Sequence, residues 1–260
     1  MGSGLIQIDP VDGGGMERLL ERRVVEVSIG VVVALLALTP LVSYALWISD
    51  GCEPNLPFIS DMDLPRRSGL SFTIGYALSG VLLALTGLQL GVLRRVWIAE
   101  AGLPDSWGHL NSVSMAAAIA AGIGLFWISF TPWNEHFELH IFQANVIFFG
   151  SAIWALGMTL GTWRMALEDS AFSDFLIPRS IFTGMGLVGL IGMIERFIRF
   201  TGLSTDLYAL EERLGMLNQD CTSMKEGLLS QAAAFEWMLA GSMILVLASL
   251  LPEIKLLTRD

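Results

Sequence analysis

Residues 24–48, VVEVSIGVVVALLALTPLVSYALWI, hold one charged residue, Glu26, in an otherwise apolar run. At 1.5 Å of rise per residue a helix of this length crosses the ~30 Å hydrocarbon core of a bilayer. The run is too long for a removable signal peptide and lacks a small-residue cleavage site, so it reads as a retained first span. Working outward, comparable runs recur at about 70–93, 110–130, 139–163, 181–200 and 232–251. Strand-like alternation is missing from all of them, and helices are then the form that satisfies every backbone group in lipid. The fold class expected is all-α, a polytopic transmembrane six-helix bundle.

Composition agrees. Of 260 residues 53% are hydrophobic and 15% charged, against roughly a quarter charged in a soluble domain. The expected organisation is a flexible cytoplasmic tail over 1–23, a membrane domain over 24–251 and a cytoplasmic tail over 252–260. A net charge of −10, from 25 acidic and 15 basic residues, argues against nucleic acid as a partner, because phosphate neutralisation needs basic clusters. Gly87–Gly91, Gly157–Gly161 and the Gly186, Gly189, Gly192 series stand at spacings that let helix backbones approach.

Basic residues set the expected orientation, since short loops rich in Lys and Arg stay cytoplasmic. With the N-terminus inside, that side collects Arg18, Arg22, Arg23, Arg94, Arg95, Arg164, Arg179, Lys255 and Arg259. The other side holds Arg66, Arg67, Arg213 and Lys225, with Arg196 and Arg199 at its rim. Both termini are therefore expected in the cytoplasm; plasma membrane and endomembrane fit equally. Two outer loops are long. The first carries Pro54, Pro57 and Pro65, which forbid a helix through its middle. The other places Leu207, Leu210, Leu214 and Leu217 at helical spacing, as an amphipathic segment over the bundle would.

The run LPFISDMDLP (Leu56–Pro65) resembles the Pro-aromatic-Ile-Ser-Asp signature of the Frag/DRAM/Sfk family of six-helix membrane proteins. Further along, Asn111, Gly124-Leu125, Phe130 and His140 follow a similar succession, with Ala144, Phe148 and Trp154 after the His and Glu236-Trp237 opening helix six. Ile141 and Gln143 depart from the Asp and Gly that many members carry. The family includes damage-regulated autophagy modulators, GPI-lipid remodelling proteins and the N-terminal domain of the Cwh cell-wall protein. The resemblance implies two kinds of function: lipid handling or remodelling, or non-catalytic regulation and scaffolding of other membrane proteins.

Topology gathers Asp61, His136, His140, Glu195 and Glu236 on the outer face near headgroup depth. Ionisable residues there are functional candidates by default. Asp61, His140 and Glu236 are the expected catalytic residues, in acid-base chemistry on a lipid ester, with Ser60 and His136 contacting the substrate. The competing reading is a loop clamp, with Asp61 capping turns and His140 anchoring its helix. Glu195 and Arg199 stand at i,i+4, the spacing of an intrahelical pair. His136 and His140 share that spacing, but the segment EHFELH lacks the HExxH arrangement, so no metal site is assigned. No P-loop, dinucleotide Gly motif or Ser-His-Asp order occurs, and the sequence names no cofactor. Membrane lipid is the expected partner, other membrane proteins the alternative. Cys52 and Cys221, the only cysteines, both fall in outer loops, on the side where disulfides persist. A bridge between them is the expected pairing and two free thiols the alternative, the bridge needing Cα atoms within ~7 Å.

Overall fold

The computed structural model of the chain describes residues 14–202, 221 and 227–258. Among these, six helices are long and apolar enough to cross a membrane. They are α2 (Arg22–Ser49), α3 (Arg66–Glu100), α4 (Asp105–Ile128), α5 (Phe137–Glu168), α6 (Ser173–Thr201) and α7 (Gly227–Ala248). Short helices α1 (Gly14–Leu19) and α8 (Ile254–Leu257) flank them, and 3-10 turns occupy Ile59–Asp63 and Ser170–Phe172. No strand occurs among the described residues, and the all-α six-helix architecture is the one expected.

The helices overrun the apolar windows that announce them. Helix α3 continues through Arg94 and Arg95 to Glu100, and α6 starts at Ser173, because charged residues continue a helix once its backbone bonding is under way. The described residues near both ends have structure of their own. Residues 14–19 are helical, α2 begins at Arg22, and Glu253 and Ile254 are fully buried within the expected C-terminal tail. The amphipathic segment expected around Leu207–Leu217 lies outside the described residues.

Lipid tails are as apolar as leucine, so close backbone contact replaces hydrophobic drive as the glue between helices. Helices α3 and α4 meet where a Cβ on Gly80 would fall 2.4 Å from the Phe126 nitrogen and one on Gly122 2.6 Å from the Ala84 nitrogen. Of the glycines singled out above, Gly87 faces Ala118, Gly157 faces Ser114, and Gly189 abuts the α7 backbone at Leu239. Gly161 makes room for something different: a Cβ there would lie 2.9 Å from the Arg94 guanidinium. Consecutive helices pack broadly from α2 to α5 and again between α6 and α7, whereas α5 and α6 touch over a narrower seam.

The end of the bundle carrying both described chain ends is closed by buried charge. Glu253, in the turn after α7, is fully buried between Arg94 of α3 and Arg179 of α6, themselves buried. Arg94 and Arg179, counted above with the basic residues of one side, thus lie inside the bundle. Arg94 donates from Nε to Glu253 Oε1 at 2.9 Å and from Nη1 to the Met158 carbonyl of α5 at 3.0 Å. Arg179 donates from Nη1 to Glu253 Oε2 and the Thr162 hydroxyl, and from Nη2 to the Ser249 carbonyl at 2.9 Å. Burial alone would push the Glu253 carboxyl up, but Arg179 and Arg94 outweigh it and hold the group below its ordinary range. At the opposite end, which we call the loop face, Cys52 and Cys221 are bridged with Cα atoms 5.2 Å apart. The bridge packs beside Trp47, Met62 and Trp237.

Glu253→Ala should lower unfolding free energy by about 3–5 kcal/mol, since it leaves two buried guanidiniums uncompensated. Thermal unfolding in detergent reads this, and a change within about 0.5 kcal/mol would show that the triad does not hold the helices. Digestion without reduction should release Cys52 and Cys221 in one linked peptide; two separately alkylated peptides would contradict the bridge.

Candidate functional site

The site is built on the loop leaving α2. Pro57 and Pro65 bound it, and between them the chain folds into the 3-10 turn Ile59–Asp63. Asp61 closes this turn: its Oδ2 accepts from the Phe58 N–H at 3.0 Å, and its Oδ1 accepts from Trp133 Nε1 at 3.2 Å. Two adjacent residues of α7 grip the loop backbone. Glu236 Oε2 accepts from the Ile59 N–H at 2.7 Å, and Trp237 Nε1 donates to the Pro57 carbonyl at 2.9 Å. The clamp is thus real for Asp61, and it reaches further than the sequence suggests, because it pins the loop to α7 and to the α4–α5 connection.

His140 sits one turn into α5, buried. Its Nδ1 lies 2.7 Å from the Thr131 carbonyl, which can only accept, so Nδ1 carries the proton. In the neutral ring Nε2 is then a free acceptor. The Thr131 hydroxyl in turn donates to Gln143 Oε1 at 2.5 Å, which fixes the connection that orients the ring.

Two cavities meet here. A groove of about 290 Å³ runs between α5 and α6, from Asp61 and Trp133 at the loop face to Phe148 and Met193. Ile198 and Asn145 on its rim are exposed, so the groove opens on the outer surface of the bundle. A narrower chamber of about 140 Å³ lies inside the bundle and reaches Trp154 and Leu247. Ser60, His140, Ala144, Phe148 and Glu236 line both. The seam opens at this end because α5 and α6 are tied lower down, where the Thr159 and Thr183 hydroxyls bond at 2.8 Å.

The structure therefore brings Ser60, Asp61, His140 and Glu236 to one groove. It does not bring His136, which is exposed as the residue capping α5 and lines neither cavity. The cause is that the helix starts after it, so its i,i+4 relation to His140 is not a shared face. Glu195 is also outside the groove and pairs with Arg196 at 2.7 Å and with Arg199, as its spacing implies. Among the described residues no three of His, Cys, Asp and Glu converge as metal ligands. Tyr76, Thr131 and Trp133 are the contributors that sequence reasoning missed. Trp133, in a connection of few residues beside His140, carried the one usable signal.

Asp63, at the end of the turn, is the ionisable group of the loop whose state changes near neutrality. Burial pushes its carboxyl from the ordinary 3.8 to about 7; the Thr73 hydroxyl opposes this, and the charge of Glu135 adds to it. The folded protein then holds a proton that the unfolded chain has released, so stability from this group falls as pH rises from about 4 to about 7 and is flat above. Asp63→Asn should remove that slope and leave the protein more stable than wild type at about pH 8. Parallel melting curves across pH for the two proteins would count against it.

No curated protein and no solved structure compared with the chain matches it. The family model described as the Frag1/DRAM/Sfk1/Cwh43P N-terminal domain matches residues 27–257, from the first span through the buried Glu253 to α8, and the chain belongs to that family.

Proposed function

We propose that the protein binds a membrane lipid at its loop face and acts on, or presents, the polar junction of that lipid. The observation carrying this reading is that Ser60, His140 and Glu236 line both the groove open to the bilayer and the chamber within the bundle. Small-molecule sites have this character, mostly apolar walls with a few fixed polar groups. A scaffold has no use for a polar junction placed where two apolar cavities join. Ser60 and His140 Nε2 offer hydrogen bonds at headgroup depth, and the walls beneath them suit acyl chains.

For a reaction at a lipid ester, His140 is the proposed catalytic base. Its Nε2 can take the proton of an attacking hydroxyl, while Thr131 holds Nδ1 and so keeps the ring in the correct tautomer. Glu236 supplies the second carboxyl of the site, and Asp61 acts as a positioning residue through its turn. We place the loop face outward and both termini in the cytoplasm. The basic residues of the terminal face support this; Arg94 and Arg179 still count, because the bias acts during insertion, before the bundle buries them.

Native mass spectrometry of protein taken from phosphatidylcholine nanodiscs tests the reading. Wild type should retain lipid, His140→Ala and Glu236→Gln should each retain about tenfold less, and Glu195→Gln, remote from the groove, should match wild type. Lipid-free wild-type protein would overturn it.

A further inference from the structure

The chamber has the length of one lipid tail. From His140 at its mouth to Trp154 is fourteen residues of α5, and from Glu236 to Leu247 eleven residues of α7. At 1.5 Å per residue these depths are ~21 and ~16 Å, against ~15 Å for half the hydrocarbon core. The cavity thus runs the whole depth of a leaflet. A volume of about 140 Å³ over that length, close to the ~150 Å³ of a cavity that holds one benzene, leaves no room for two chains and admits one only as the walls part around it. Its ionisable groups Tyr76, His140 and Glu236 gather with Ser60 at the mouth, Ala240 and Ala144, one turn below Glu236 and His140, keep the passage open, and the Ser151 hydroxyl and the Trp154 indole are the polar groups further down.

We propose that a single acyl chain of a lipid ester leaves the bilayer through the groove between α5 and α6, bends at His140 and Glu236, and lies full length in this chamber. The proposal rests on the lipid-binding reading above and narrows it to one occupant. A free fatty acid is the poorer fit, because its carboxylate would be desolvated beside Asp61 and Glu236 in cavities that no described Lys or Arg lines. An ester linkage carries no charge, and the bend places its carbonyl at the mouth, within reach of the hydroxyl of Ser60. The rest of the lipid stays in the groove, so its headgroup never crosses the bundle. Transfer from bilayer to chamber exchanges one apolar setting for another and gains little by itself. What it gains is contact, since an empty bore leaves its walls without partners on one side. Length selection then comes from the closed end rather than from affinity per methylene.

Two substitutions grade the test, Ala240→Phe near the mouth and Ser151→Phe, eleven residues below His140, near the closed end. Protein equilibrated with vesicles of mixed short-, medium- and long-chain phosphatidylcholines is then read by native mass spectrometry. Ser151→Phe should deplete the longest chains among retained lipids by about tenfold, and Ala240→Phe should deplete all of them. In parallel, wild-type protein in vesicles carrying a phosphatidylcholine with a diazirine at its chain end should be labelled at Trp154 and Leu247, which are buried and out of reach of bulk lipid. This arm does not depend on either variant folding. Unchanged chain distributions, with labelling confined to exposed positions such as Val188 and Ile191, would overturn the chamber while His140→Ala still released lipid, leaving the binding reading intact. Wild-type protein that retains no lipid would overturn both. Free fatty acid displacing the phosphatidylcholine would overturn the choice of an ester.

Discussion

The carboxylate of Glu253 between the guanidiniums of Arg94 and Arg179 is the contact on which the rest of the bundle depends. It joins α3, α6 and the turn after α7, and through Thr162 and the Met158 carbonyl it includes α5. In a bilayer, helix association has no hydrophobic drive behind it, so a directional, fully buried ion network decides which helices are neighbours. Isolated charges at such a site would cost many kcal/mol; here nearly every donor has an acceptor, and the partners lie on four separate segments.

Fastening at one end has a consequence at the other. The helices are tied at the terminal face by this triad and part-way along by the Thr159–Thr183 bond. Towards the loop face the groove occupies the space between α5 and α6, whose Phe137 and Phe200 share an apolar cluster with Trp133 and Leu229. The loop face is instead held from above, by backbone bonds from the Ile59–Asp63 turn to Glu236 and Trp237 and by the Cys52–Cys221 bridge. Rigid base, open flank and pinned roof are a single arrangement, with cavities left where the two modes of fastening meet.

Much of this was legible in the chain, but unevenly. Length and apolarity locate six spans because the bilayer demands them, and the meeting of Cys52 and Cys221 at one end of the bundle followed from counting crossings. Ala144, Phe148 and Trp154, quoted for their resemblance, turn out to line the chamber at helical spacing below His140. The triad was not legible. Arg94 and Arg179 read as interfacial cations and Glu253 as part of a tail, because hydropathy gives the position of a span along the membrane normal and says nothing of how each helix is rotated. His136 shows the same limit in small: one residue's error in a helix start decides whether two histidines share a face.

The opposition between a loop clamp and a polar pocket also dissolves once rotation is known. Asp61 spends both oxygens on the Phe58 N–H and Trp133 Nε1, so it organises the turn. Glu236 spends Oε2 on the Ile59 N–H and still lines both cavities. His140 spends Nδ1 on Thr131 and keeps Nε2 in hand. Asp61 commits both of its oxygens to the roof, whereas Glu236 and His140 commit one atom each and have a second left over. Such a division suits the lipid site proposed above, because polar groups wholly unpaired would be too costly to bury, and groups wholly paired would have nothing left to offer. The clamp is therefore the condition under which His140 and Glu236 can be held, desolvated and aimed, beside an apolar bore.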